Sequence, residues 1–329
     1  MLEAFSARHL DSELGATSFL QLSAWRRSGA YRVMIETRGG RTGSVIYKDA
    51  VFDTRDMPAV ANLGARPGIS EYLVYRDARE GLRRHLPEVF HCEEIVPFAH
   101  YRYLLEDLRP THRDTFAPAD TVDAARALPS LHDALLESMS DAWRANMPHY
   151  DAAFSAELQE YARTSLEAFH RTEGDRLVNR VLDLWPAITA LHGRAEFHTG
   201  ELRPIHGDFS RANTMVDTSK PGPHKAIDWD WAGLGKRHTD LATLVGPTGR
   251  KIEDAALAAF ASQDPALSPE AHRRLYLWCK LERSLLDASF LGNQYVEADF
   301  EQRMNIPRRV HVQMRRALDT YHDLAEATR

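Results

Sequence analysis

The chain has 329 residues, 43% of them hydrophobic, and a formal net charge of -6. That is apolar enough to bury one large core or two modest ones, too apolar for disorder, and too acidic to hold nucleic acid or an anionic membrane through a global field. Only Cys92 and Cys279 are present and they form no C-x-x-C pair, which excludes a disulfide framework and a zinc knuckle.

The start, MLEAFSARHLDSELG, is charged and lacks an apolar core with a small-residue cleavage site, and no stretch approaches about 18 uninterrupted apolar residues. The expectation is a reduced, cytoplasmic protein, neither exported by a signal nor membrane-spanning. From Thr17 to Ala50 the segments SFLQLSAW, YRVMIET and GSVIYKDA alternate as strands, with RRSGA and RGGRTG as turn material, and predict a three-strand meander. After Pro67 and Gly68, apolar residues at Ile69, Leu73, Val74 and Leu82 follow a helical spacing. EVFHCEEIVPF and YRYLLEDL then read as a strand pair leading into a linker, which divides the chain into lobes at 1–106 and 107–329.

Beyond residue 110 the apolar residues recur at three and four, so the second part is mainly helical. One island interrupts it: PIHGDFSRANTMVD and HKAIDWDWAG have the composition of a loop and a small hairpin, before helices resume at Asp240.

The island carries chemistry. Phosphoryl transfer from ATP needs a carboxylate at the attacking hydroxyl and oxygen ligands that hold Mg²⁺ on the phosphates. Asp208 stands in His206-Gly207-Asp208, Asn213 follows five residues later, and Asp228 lies twenty residues beyond Asp208. This is the kinase order of catalytic Asp, metal Asn and metal Asp. A kinase also needs a strand-end lysine for the phosphates, a helical carboxylate to order it, and a small-residue turn over the phosphates. Lys48 ends SVIYK, Glu71 opens the next helix, and Ser28 and Gly29 lie in the turn Arg27-Ser28-Gly29-Ala30. His206 is read as a hydrogen-bonded support of the loop, because Asp208 already occupies the proton-accepting role.

Other site classes lack their sets. Among the sixteen histidines there is no H-E-x-x-H, and neither a G-x-S-x-G elbow nor a Walker A loop is present. No D-F-G and A-P-E pair brackets an activation segment, which disfavours a protein kinase.

The order IYK, SEYLVYR, YLLEDL, the LH of PSLHD, HGDFSRAN and IDWDWAGLGKRHTDLA resembles the aminoglycoside phosphotransferase and choline kinase family over most of the chain. The resemblance implies a bilobal α+β protein-kinase-like fold, with a small N-lobe of antiparallel sheet and one helix and a larger, mainly helical C-lobe. It implies Asp208 as catalytic base, Asn213 and Asp228 as Mg²⁺ ligands, Lys48 with Glu71 on the phosphates, adenine at the Glu106 carbonyl and the Leu108 amide, and Asp240 behind the catalytic loop. Two departures stand out: no full Gly-rich loop is visible, and Pro129 falls inside an expected helix.

The implied reaction moves the ATP γ-phosphate to a hydroxyl of a small acceptor. Net acidity and the resemblance favour a cationic, aminoglycoside-like or amino sugar antibiotic, and hence a resistance or self-protection kinase. The alternatives are a metabolic kinase of an amino alcohol or sugar and a non-catalytic nucleotide-binding pseudokinase. In YLWCKLERSLLDASFLGNQYVEADFE the candidates to face an amine are Glu282, Asp287, Glu297 and Asp299, with Trp278 or Tyr295 stacking on it. Asp230 either faces the acceptor or caps a turn.

Overall fold

Alternation sets the N-terminal sheet. In strand β2 (Ser28–Thr37), Val33, Ile35 and Thr37 are buried while Met34 and Glu36 face solvent, as the two-residue period of a half-covered sheet demands. A helix α1 (Leu2–His9), not foreseen from the sequence, precedes β1 (Leu14–Trp25), and β3 (Thr42–Val51) completes the meander. Helix α2 (Ile69–Asp77) and strands β4 (Val89–Ile95) and β5 (His100–Glu106) follow. The five strands run antiparallel in the order β1-β2-β3-β5-β4. Phe5, Val33, Ile35, Val45 and Leu104 pack on one face of this sheet. Burying a side chain of this size stabilises by about 1.5–3 kcal/mol.

Short β6 (His112–Arg113) leads to the long helix α3 (Pro118–Ser138) and then α4 (Ala152–Glu173). The island contributes β7 (Arg203–Ile205), β8 (Thr214–Asp217), β9 (Lys225–Ala226) and β10 (Gly233–Gly235). Helices α5 (His238–Val245), α6 (Arg250–Ala261), α7 (Pro269–Glu297) and α8 (Ile306–Ala327) close the chain. This computed structural model describes residues 1–25, 28–52, 68–95, 99–109, 112–113, 116–217, 224–246, 248–297 and 305–329.

The chain forms two units that interleave along the sequence. One comprises Met1–Asp120, Ser130–Pro148 and Arg211–Gly233, and holds the five-stranded sheet together with β6, β8 and β9. The other comprises Thr121–Pro129, His149–Ser210 and Leu234–Arg329, and is helical, with α7 packed against α4, α5 and α8. The fold is mixed α+β.

Three sequence expectations shift. Strand β1 begins at Leu14 rather than Thr17, and the helix expected at Asp240 begins at His238. The turn expected at 27–30 is strand from Ser28 onward: Ser28 pairs with Trp25, Gly29 with Ala24 and Asp49, and Arg27 lies outside the described residues. The Ser28 hydroxyl explains the continuation, since it donates to the Val51 carbonyl at 3.1 Å and accepts from the Val51 amide at 2.9 Å. Pro129 removes one backbone donor, yet α3 runs through it unbroken. Among the described residues no helix is long and apolar enough to cross a membrane.

Candidate active site

In the first unit, the end of β3 delivers Lys48 to a group of carboxylates. The Lys48 ammonium lies 2.6 Å from Glu71 Oε2, 2.7 Å from Asp228 Oδ1 and 3.5 Å from Asp230 Oδ2. Burial alone would lower the lysine pKa, but Asp228, Asp230 and Glu71 outweigh it and hold the group well above its ordinary value. Glu71, on the first turn of α2, has a side chain only 1% exposed and is ion-paired to Lys48. Asp228 is half exposed and adopts φ 65, a left-handed conformation that strains any non-glycine residue and concentrates at functional sites. Asp230 sits on the 3₁₀ turn that follows and belongs to this same cluster. Burial first, then Glu71 and Asp228, push its carboxyl well up against the pull of Lys48.

Asn213 ends a short 3₁₀ turn, and its carbonyl accepts the Ile227 amide at 2.9 Å, which ties it to the residue preceding Asp228. The oxygens of Glu71, Asp228 and Asp230 lie within 4.8 Å of one another, and Glu71 Oε1 and Asp230 Oδ1 are buried with no hydrogen-bond partner. Hard oxygen donors with orphaned lone pairs fit a small divalent cation such as Mg²⁺.

Glu106 closes β5 opposite Val45, and the Leu108 carbonyl accepts the His112 amide. Between them lies a residue the sequence reading passed over. Asp107 is buried, takes Arg32 Nε at 2.6 Å and Nη2 at 3.2 Å, and accepts the Ser44 hydroxyl at 2.8 Å. This fork pins the 106–108 segment to β2 and β3. Asp107→Ala strands a largely buried guanidinium and is expected to cost about 2–3 kcal/mol in a urea titration.

In the second unit, the loop after β7 is held from behind by a fully buried carboxylate. Asp240 accepts the His206 amide on Oδ2 and the Gly207 amide on Oδ1, both at 2.8 Å. Gly207 has φ 79, a left-handed conformation that favours glycine, and this lets both amides converge on one carboxylate. The Asp208 amide donates to His206 Nδ1 at 3.3 Å, and the buried His206 ring packs edge-on against Phe209.

Arg283 on α7, also not foreseen, engages Asp208. Its Nη2 lies 2.8 Å from Asp208 Oδ1, its Nη1 donates to the Gly207 carbonyl at 3.3 Å, and its Nε lies 2.7 Å from Asp287 Oδ1. Burial opposes the guanidinium charge, but Asp287 and Asp208 overcome it and raise its pKa. The i, i+4 spacing of Arg283 and Asp287 was the available signal, although such pairs occur on any solvated helix face.

The expected acceptor contacts on α7 are mostly internal. Glu282 accepts the Ser155 hydroxyl at 2.6 Å and lies 3.5 Å from His192 Nε2, while Asp287 is paired to Arg283. Trp278 is buried and stacked on His192, and Tyr295 is buried with its hydroxyl on Glu173, so neither offers a face to a ligand. Glu297 ends α7, and Asp299 lies outside the described residues.

The phosphotransferase enzyme family profile named APH matches residues 74–278, more than half of the chain. The chain belongs to the APH family of phosphotransferase enzymes. Comparison with curated protein sequences gives no match. Among solved structures, the GDP complex of wild-type aminoglycoside 2'-phosphotransferase-IIIa is similar at 13% identity, with 96% of each chain covered and a TM-score of 0.58. An ethanolamine kinase from Plasmodium vivax is similar at 10% identity and a TM-score of 0.57, covering 94% of this chain and 84% of that one. A thermostable aminoglycoside phosphotransferase APH(4)-Ia, in ternary complex with AMP-PNP and hygromycin B, is similar at 17% identity and a TM-score of 0.52, covering 96% and 98%. These likenesses confirm the kinase-like fold, and family membership makes this APH chain a phosphotransferase enzyme.

Proposed function

We propose that this APH-family enzyme transfers the γ-phosphate of ATP to a hydroxyl of a small polyhydroxylated molecule. The observation that carries this is the Lys48 ammonium held between Glu71 and Asp228, together with a separately braced Asp208. Lys48 draws the α and β phosphates, with adenine on the backbone of Glu106 and Leu108, in an N-terminal lobe 1–106 that serves the nucleotide. Asn213 and Asp228 would hold Mg²⁺, which when bound neutralises charge on the transferring group. Asp208 accepts the acceptor hydroxyl proton as its oxygen bonds to the γ-phosphorus and the bond to the β-bridging oxygen breaks, releasing ADP. Ser28 and Gly29, at the start of β2, are the residues this reading assigns to the phosphate cover. The similar ethanolamine kinase and the similar aminoglycoside phosphotransferases bring ethanolamine and aminoglycosides into the candidate acceptors, with an antibiotic-modifying role as one outcome.

The test is ADP release from Mg-ATP across aminoglycosides, other amino sugars, amino alcohols and simple sugars. Acceptor-stimulated release supports the reading, and nucleotide binding without turnover for any acceptor favours a pseudokinase. Lys48→Met gives an independent check. Removing the ammonium leaves Glu71 buried and unpaired, so a loss of about 3 kcal/mol in a thermal melt is expected, along with a drop of about tenfold or more in Mg-ATP affinity by calorimetry.

A further inference from the structure

We infer that the acceptor carries an anionic group, a carboxylate or a phosphate monoester, held by Arg308 and Arg309 in the cleft that contains Asp208. The inference rests on the kinase reading and narrows its substrate class. The cleft lies within the second unit, has a volume of about 680 Å³, and is lined by Asp208, Arg283, Asp287, Arg308 and Arg309 among others. That is the size of a small-ligand pocket.

The charges on its wall do not suit a polyammonium compound. Among the described lining residues three guanidiniums face two carboxylates, and both carboxylates are engaged by Arg283, at 2.8 Å for Asp208 and 2.7 Å for Asp287. An amine entering this cleft finds no unpaired carboxylate on the described wall. Glu282, the other acid expected to greet an amine, is turned inward to Ser155 and His192.

Arg308 and Arg309 show the opposite condition. Both are exposed, and neither has a carboxylate partner among the described residues. They stand in the first turn of α8, which has no acidic residue, where the amide dipoles already raise the positive potential. Among the described residues no ion pair stabilises two cations at this place. A pair of guanidinium forks opening into a cleft is, however, matched to the geometry of a carboxylate or phosphate. An acceptor anchored there by its anion would present hydroxyls to the same cleft as Asp208.

The experiment uses the full chain and hydroxylated skeletons of three and six carbons, each offered as carboxylate, phosphate monoester, neutral alcohol and amine. Binding is read by calorimetry and turnover by ADP release. In the wild type, one of the two anionic forms should bind about tenfold or more tighter than the neutral form of the same skeleton, and the amine should bind weakest. The carboxylate and phosphate arms identify which anion the site takes. Arg308→Glu combined with Arg309→Glu should reverse the order of anion and amine, with a melting temperature no lower than wild type, since carboxylates suit a helix start. Tighter wild-type binding of the amine, binding of no anionic member, or a reversal variant that keeps its anion affinity within about twofold overturns the inference. An amine-preferring wild type that still releases ADP sinks this acceptor assignment alone. Failure of Mg-ATP to bind removes the kinase reading and the acceptor with it.

Discussion

Asp208→Asn is expected to lower kcat by about 10³-fold while Mg-ATP affinity stays within about twofold, because general-base contributions run about 10²–10⁴-fold. Asparagine keeps the shape of the side chain and an oxygen for Arg283 Nη2, and the amide of residue 208 still donates to His206 Nδ1. The loop held by Asp240 therefore keeps its form. What disappears is the capacity to take a proton from the acceptor hydroxyl. Steady-state ADP release and equilibrium nucleotide binding, measured on the same preparation, separate the two quantities. A variant that retains kcat within about tenfold would rule Asp208 out as the base.

Arg283→Met is the second large effect. It removes the cation that bridges Asp208 and Asp287 and takes a shared partner from two largely buried carboxylates. Breaking such a pair from one side costs about 3 kcal/mol, read as a lowered denaturant midpoint. The kinetic signature follows from the sign of the lost charge. A cation beside a carboxylate favours its ionised, proton-accepting form, so removing Arg283 is expected to move the acid limb of the kcat profile to higher pH. Arg283→Lys restores the charge but not the three-way reach to Asp208, the Gly207 carbonyl and Asp287. It is expected to recover most of the stability and part of the rate. If Arg283→Met lowers stability but leaves the pH profile in place, Arg283 supports the fold and does not position Asp208.

The parts of this molecule written in the sequence are those where chemistry or periodicity dictates residue type at short range. The meander was legible because alternation in YRVMIET and GSVIYKDA and the turn residues around Gly39 and Gly40 point the same way. Lys48 and Glu71 meet because a strand end and the first turn of the next helix were both recognisable. Ser28 and Gly29 misled because small residues suit a turn and a strand equally, and only the Ser28 bonds to Val51, a long-range contact, decide between them. Trp278 and Tyr295 misled for a related reason: an aromatic residue on a helix has the same spacing whether it stacks on a ligand or on His192 and Phe169. Asp107 and the grouping of Arg211–Gly233 with the N-terminal sheet are tertiary facts with no local signature, and the i, i+4 spacing of Arg283 and Asp287 is one that any solvated helix face shares.

Helix α7 separates two duties by angle. Leu281, Leu285 and Ala288 are buried along one side, whereas Arg283, Asp287, Phe290 and Gln294 line the cleft on the other. At 3.6 residues per turn these two sets fall on opposite faces. Substitution at Phe290 or Gln294, beyond the ion pairs of Arg283, therefore changes which molecule is welcomed without disturbing the core that keeps the helix in place. Such a division lets acceptor preference drift among descendants of one scaffold at little cost in folding, and it names the helical positions at which sibling enzymes should first diverge.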